Sequence, residues 1–130
     1  MREIPDHLPK PTEAELELLR VLWDKGSASV RDLHEVVSLQ RPLGYTSVLK
    51  TLQIMTEKGL VERTEAGKAH IYRAAASQEE TQNQLLRDLS ERLFAGSAAQ
   101  LAMHALAMQP ASEEELEEIR KLIRKKREKQ

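Results

Sequence analysis

Tyr45, Thr46, Ser47, Lys50 and Gln53 crowd into one short stretch of the chain. All of them hydrogen-bond; none of them needs to react. Thr46 and Ser47 are short hydroxyls that can meet either a base edge or a phosphate. Lys50 follows one helical turn later and can reach a guanine edge or a phosphate. Gln53 can read a base or rest on the backbone, and Tyr45 can bond a phosphate. If a helix begins at Tyr45, its first amides also favour phosphate. Arg41 stands just before this stretch, and Lys68 follows a glycine further on; both would add charge against a nucleic-acid backbone. The plainer reading is a solvated polar face on an ordinary helix.

Reactive chemistry has no comparable foothold. The chain has no cysteine, so disulfides, zinc–thiolate sites and thiol redox chemistry are excluded. His34-Glu35 resembles the start of a zinc-protease motif, but Ser38 stands where the second histidine belongs. The other histidines, His7, His70 and His104, show no ligand spacing. No Gly-x-Ser-x-Gly elbow or Gly-x-x-x-x-Gly-Lys phosphate loop occurs. The expectation is a protein that is not an enzyme and uses no metal or cofactor.

The elements that must position the polar stretch read clearly. Thr12 and Glu15 fit a capping box ahead of a helix over 12–25, whose apolar residues are Leu16, Leu19, Val21, Leu22 and Trp23 and whose stop is Gly26. Residues 27–30 suit one short edge strand. Ser29 and Asp32 then resemble a second capped start, and Val30, Leu33, Val36 and Val37 recur at helical spacing over 30–39. Arg41-Pro42-Leu43-Gly44 breaks the pattern. A third helix runs from Tyr45 to Lys58, with Val48, Leu49, Leu52 and Met55 inward and Gly59 as its stop. Residues 60–64 and 69–73 are β-compatible, and Gly67 suits the reversal between them. Helix, strand, helix, helix, hairpin is the order of a winged helix-turn-helix, in which the second helix of the turn enters the major groove.

From Ser77 onward the pattern is purely helical. Three amphipathic pieces carry Leu85, Leu89 and Leu93, then Leu101 and Leu106, then Leu116, Ile119, Leu122 and Ile123. Gly96-Ser97 and Pro110 separate them. They could fold back as added core. With so little aromatic bulk they bury their apolar faces better against a second chain, which would also supply the two-fold symmetry of a DNA dyad. The fold class expected is therefore mainly α with a small β-hairpin wing. Its parts are a flexible arm over 1–11, a winged-helix DNA-binding domain over 12–76 and a helical dimerisation domain over 77–130.

Charge is quiet overall: 20 basic against 21 acidic residues, a net charge of -1. Only the stretch 41–73 stands out, with Arg41, Lys50, Lys58, Arg63, Lys68 and Arg73 against Glu57, Glu62 and Glu65. Near-neutrality lends some support to a second reading, a winged helix that binds protein rather than DNA. No signal-like N-terminus and no apolar run long enough for a bilayer are present, so a soluble, cytoplasmic chain without membrane insertion is expected.

Several stretches together resemble the BlaI/MecI/CopY family of repressors. They are Thr12-Glu13-Ala14-Glu15 through Leu22-Trp23, Val30-Arg31-Asp32-Leu33-His34-Glu35, and Gly44-Tyr45-Thr46-Ser47-Val48-Leu49-Lys50-Thr51-Leu52. Glu57-Lys58-Gly59-Leu60-Val61, Gly67-Lys68-Ala69-His70-Ile71-Tyr72, Leu93-Phe94-Ala95-Gly96-Ser97 and the helix from Ser112 complete the match. The resemblance implies a homodimer that represses by occupying double-stranded operator dyads, often of TACA/TGTA type. It implies that Tyr45, Thr46, Ser47 and Lys50 lie on the recognition helix and Lys68 in the wing. In the β-lactam branch a membrane sensor with a protease domain leads to cleavage of the repressor, which implies a protease as a further partner. The scissile Asn-Phe pair of that branch aligns with His104-Ala105 here, so that site is not carried over. The copper branch binds metal through C-terminal cysteines, which this chain lacks.

Overall fold

The computed structural model describes residues 9–129. Most of the expected arm over 1–11 lies outside the described residues. The chain divides into two compact units, one ending at Leu85 and one beginning at Leu86.

In the first unit, α1 (Glu13–Lys25) starts beneath a complete capping box. Thr12 Oγ1 accepts from the Glu15 amide, and Glu15 Oε1 accepts from the Thr12 amide at 2.8 Å. A two-residue strand, β1 (Ala28–Ser29), leads into α2 (Val30–Val37), where Ser29 and Asp32 form a second box. These reciprocal bonds satisfy amides that a helix start leaves without intrahelical partners. α2 ends two residues before the expected 39. The apolar Leu39 invites extension of the helix, but the chain has already turned there and leaves that side chain 86% exposed.

α3 (Tyr45–Lys58) has the bounds expected from the sequence, set between Gly44 and Gly59. Gly59 takes a left-handed conformation, φ 83°, which its missing Cβ permits. The hairpin follows as β2 (Val61–Ala66) and β3 (Ala69–Ala74), and β1 pairs with the outer side of β3, giving the antiparallel order β1-β3-β2. The core lies between these helices and the sheet. Leu18, Leu19 and Leu22 of α1 meet Leu33 and Val37 of α2, Val48, Leu52 and Met55 of α3, and Val61 and Tyr72 of the hairpin. Leu18 and the carboxylate Glu15 are buried, whereas Leu16, Val21 and Trp23 only pack at the margin. Trp23 uses its indole N–H at 3.0 Å on the Ala76 carbonyl, fixing the exit of the chain from β3.

The helix α4 (Gln78–Leu93) begins at a Ser77–Glu80 box and runs across the division between the units. Within the first unit, Thr81 and Leu85 line a small cleft with Pro9, Leu19 and Leu60. The second unit holds the end of α4, then α5 (Ala98–Met108) and α6 (Glu113–Glu128). The rings of Phe94 and His104 meet at a tilt of 51°, with centroids 5.2 Å apart. Ser112 and Glu115 cap α6, and the Ser112 amide and hydroxyl hold the Glu115 carboxyl below the usual range. No residue of α5 or α6 is buried. Leu89, Leu93, Leu106, Leu116, Leu122 and Ile123 are all exposed, Leu93 by 68%; Leu101 and Ile119 are half-buried.

Candidate nucleic-acid interface

The buried face of α3 is Val48, Leu52 and Met55. Helical periodicity then puts Thr46, Ser47, Lys50 and Gln53 away from the core, whereas Tyr45, three residues before Val48 and seven before Leu52, follows the core side; at the start of the helix it is nonetheless exposed, as are the other four. The first-turn amides of α3 have no side-chain cap, since Gly44 offers none; the first intrahelical bond runs from the Val48 amide to the Gly44 carbonyl at 3.2 Å. Thr51 is occupied within the helix, its hydroxyl donating to the Ser47 carbonyl. The exposed surface of α3 thus offers two hydroxyls, a phenol, an amide and the Lys50 ammonium, with the carboxylate of Glu57 towards its C-terminal end.

Two contacts from other helices fix α3 at its ends. At the N-terminal end, His34 of α2 lies 2.7 Å, through Nε2, from the Leu43 carbonyl. At the C-terminal end, Lys58 Nζ donates to both oxygens of Glu15, at 2.9 and 3.0 Å. Burial pushes the Glu15 pKa up, but the Thr12 amide and hydroxyl and the Lys58 ammonium outweigh it, and the net displacement is downward. This carboxylate therefore caps α1 and anchors α3 with the same atoms.

The six cations counted between residues 41 and 73 separate into two groups. Arg41 donates to Glu17 of α1 at 2.9 Å, a bond and charge that raise the pKa of its guanidinium. Lys58 is held by Glu15, and Arg73 lies 3.4 Å from Glu62 across the hairpin. For Lys50, Arg63 and Lys68 no carboxylate lies within ion-pair distance among the described residues. Lys68 occupies the wing tip beside Gly67, whose φ of 65° allows the tight reversal between Ala66 and Ala69. Arg63 was not singled out from the sequence. It pairs in register with Tyr72, a residue 1% exposed, so both project from the helix-facing side of the sheet. β2 packs against α3, which sets Arg63 on the α3 side of the wing. Its parity with Val61 was the available signal.

Among the described residues, no three His, Asp or Glu side chains gather as a metal site, and no helix is long and apolar enough to cross a membrane.

Comparison with known proteins identifies the family and the fold. The profile of the family described as penicillinase repressor matches residues 11–125. The chain is similar to the methicillin resistance regulatory protein MecI of Mammaliicoccus sciuri, 21% identical over 115 residues that cover 88% of this chain and 94% of that one. It is similar also to the transcriptional regulator BlaI of Mycobacterium tuberculosis, 30% identical over 104 residues, 79% of this chain and 66% of that one. Among solved structures, the Bacillus licheniformis BlaI monomeric form, determined in complex with the blaP half-operator, shares the fold at a TM-score of 0.50 and 19% identity. That match covers 57% of this chain and 90% of the other. By its matched profile and its winged-helix order of elements, the chain belongs to the penicillinase repressor family, the DNA-binding transcriptional repressors that include MecI and BlaI.

Proposed function

We propose that this chain represses transcription as a homodimer, each protomer setting α3 into the major groove of one half of an operator dyad. The observation that carries this reading is the sorting of cations. Of the six between residues 41 and 73, the three with no carboxylate partner among the described residues are Lys50 on the exposed face of α3 and Arg63 and Lys68 on the wing, whereas Arg41, Lys58 and Arg73 are each paired. Lys50 contacts a base edge or the adjacent phosphate, with Thr46, Ser47 and Gln53 as further base-reading groups and Tyr45 on the backbone. Arg63 and Lys68 neutralise phosphates flanking the groove. Arg41, compensated by Glu17, contributes less. The second copy covers the exposed apolar residues of the second unit, with Leu93, Leu106, Leu122 and Ile123 central. A signal that separates the protomers, proteolytic or otherwise, relieves repression, because one winged helix alone keeps half of the contacts.

Selection of duplexes from a random pool with the full chain tests this. The expected result is enrichment of an inverted repeat bound by two chains. Recovery of sequences without two-fold symmetry, or of one chain per duplex, would overturn the dimeric reading.

A further inference from the structure

Thr12, Ser29, Ser77, Ser97 and Ser112 each accept an amide in the first turn of the helix they precede. α3 lacks such a residue, since it follows Gly44. Its approach is irregular chain in which Leu39, Gln40, Arg41 and Pro42 are exposed. The first turn of α3 has no side-chain cap of its own, and besides the core packing of Leu43 and Val48 a contact from α2 reaches it.

His34 is half-buried, next to the buried Leu33 and one turn before Val37. Its Nε2 lies 2.7 Å from the Leu43 carbonyl. A carbonyl only accepts, so the proton resides on Nε2. The same ring meets Tyr45 edge to face, with centroids 5.8 Å apart and planes inclined at 76°, a favoured aromatic arrangement. One side chain thus touches the residues on both sides of Gly44. Leu43 in turn packs against the core.

We propose that His34 is a positioning residue for DNA recognition, locking the turn between α2 and α3 so that Tyr45, Thr46 and Ser47 meet the groove in one orientation. This rests on α3 being the helix that reads DNA. Hydrogen bonds to base edges depend steeply on distance and angle, whereas attraction of Arg63 and Lys68 to phosphate tolerates small displacements. Loss of the lock therefore reduces specific binding and leaves non-specific binding intact.

The test compares His34→Leu and His34→Gln in the full chain. Leucine removes both the donor and the ring; glutamine restores an N–H donor at similar reach. Affinities are measured for the duplex recovered by selection and for a scrambled duplex. His34→Leu is expected to lower specific affinity about fivefold to tenfold, the order of one lost hydrogen bond. Binding to the scrambled duplex stays unchanged, and His34→Gln recovers most of the loss. Equal losses on both duplexes, full specific affinity in His34→Leu, or no recovery with glutamine would each overturn the proposal. Hydrogen exchange at the Val48 amide of the free protein gives a readout that needs no DNA: it should quicken in His34→Leu and return with His34→Gln. If the parent chain recovers no preferred duplex, the DNA reading fails, and the exchange rates alone decide whether His34 locks the turn.

Discussion

Replacing Lys58 with methionine probes the tie between the end of α3 and the start of α1. Glu15 is 3% exposed and accepts from Lys58 at 2.9 and 3.0 Å and from the Thr12 amide at 2.8 Å. Methionine keeps much of the apolar stem and removes the ammonium, so the carboxylate remains buried with the bonds from Thr12 alone. Removing one partner of a fully buried pair costs about 3–5 kcal/mol. The Lys58 side chain is 37% exposed, so water screens this pair, and we expect a cost of about 2 kcal/mol at neutral pH. The pH dependence gives a sharper test. In the parent the Glu15 pKa is lowered by folding, so its contribution is complete above the unfolded value and lost as pH falls through the folded one. In Lys58→Met the lowering effects of the ammonium are lost while burial and the Thr12 bonds remain, so the folded pKa lies higher than in the parent. The variant then loses most against the parent where the carboxyl is ionised and least at low pH, where it is protonated in both. The deficit against the parent should shrink steadily as pH falls from neutral towards 4.5, the ordinary carboxylate value. Urea denaturation at fixed chain concentration measures it, since the proposed dimerisation would make apparent stability concentration-dependent. A deficit of constant size across that range, or none at neutral pH, would refute the reasoning.

Three further outcomes follow from the interface. Lys50→Ala should lose about 1–3 kcal/mol on the selected duplex and relax its preference at one base position, while Lys68→Ala should weaken all duplexes alike and reduce the salt slope by about 1; anisotropy titrations over a salt series separate them, and identical behaviour would contradict the division of roles. Arg63→Ala should lower the salt slope more than Arg41→Ala, because Glu17 already compensates Arg41; the reverse ranking would remove Arg63 from the interface. Leu93→Asp combined with Ile123→Asp should sediment as a monomer with helical circular dichroism retained, and a persistent dimer would place the interface elsewhere.

Local rules made much of this structure legible. Gly44 and Gly59 bracket α3, and the caps at Thr12 and Ser29 were readable because their partners lie three residues away. The hairpin strands extend to Ala66 and Ala74, further than β-propensity suggests, because the ladder carries Glu65 and Ala66 up to the turn. On α1, the apolar residues spread too widely to reveal Leu18 as core. That helix meets α2, α3 and β3, and tertiary contact decides which side is buried. The partners of the cations were illegible for the same reason. Arg41 meets Glu17 and Lys58 meets Glu15 across separations of 24 and 43 residues, which no local pattern encodes. His34 likewise carried no signal beyond its nine-residue spacing from Leu43.

Titration of the full chain against the DNA upstream of its own coding sequence, over a salt series and beside a scrambled duplex, tests operator recognition most directly. The expected result is preferential binding by two chains, with log affinity falling linearly in log salt by about 0.9 per phosphate neutralised. Equal affinity for both duplexes together with no salt dependence would contradict it and point to a winged helix that binds protein instead.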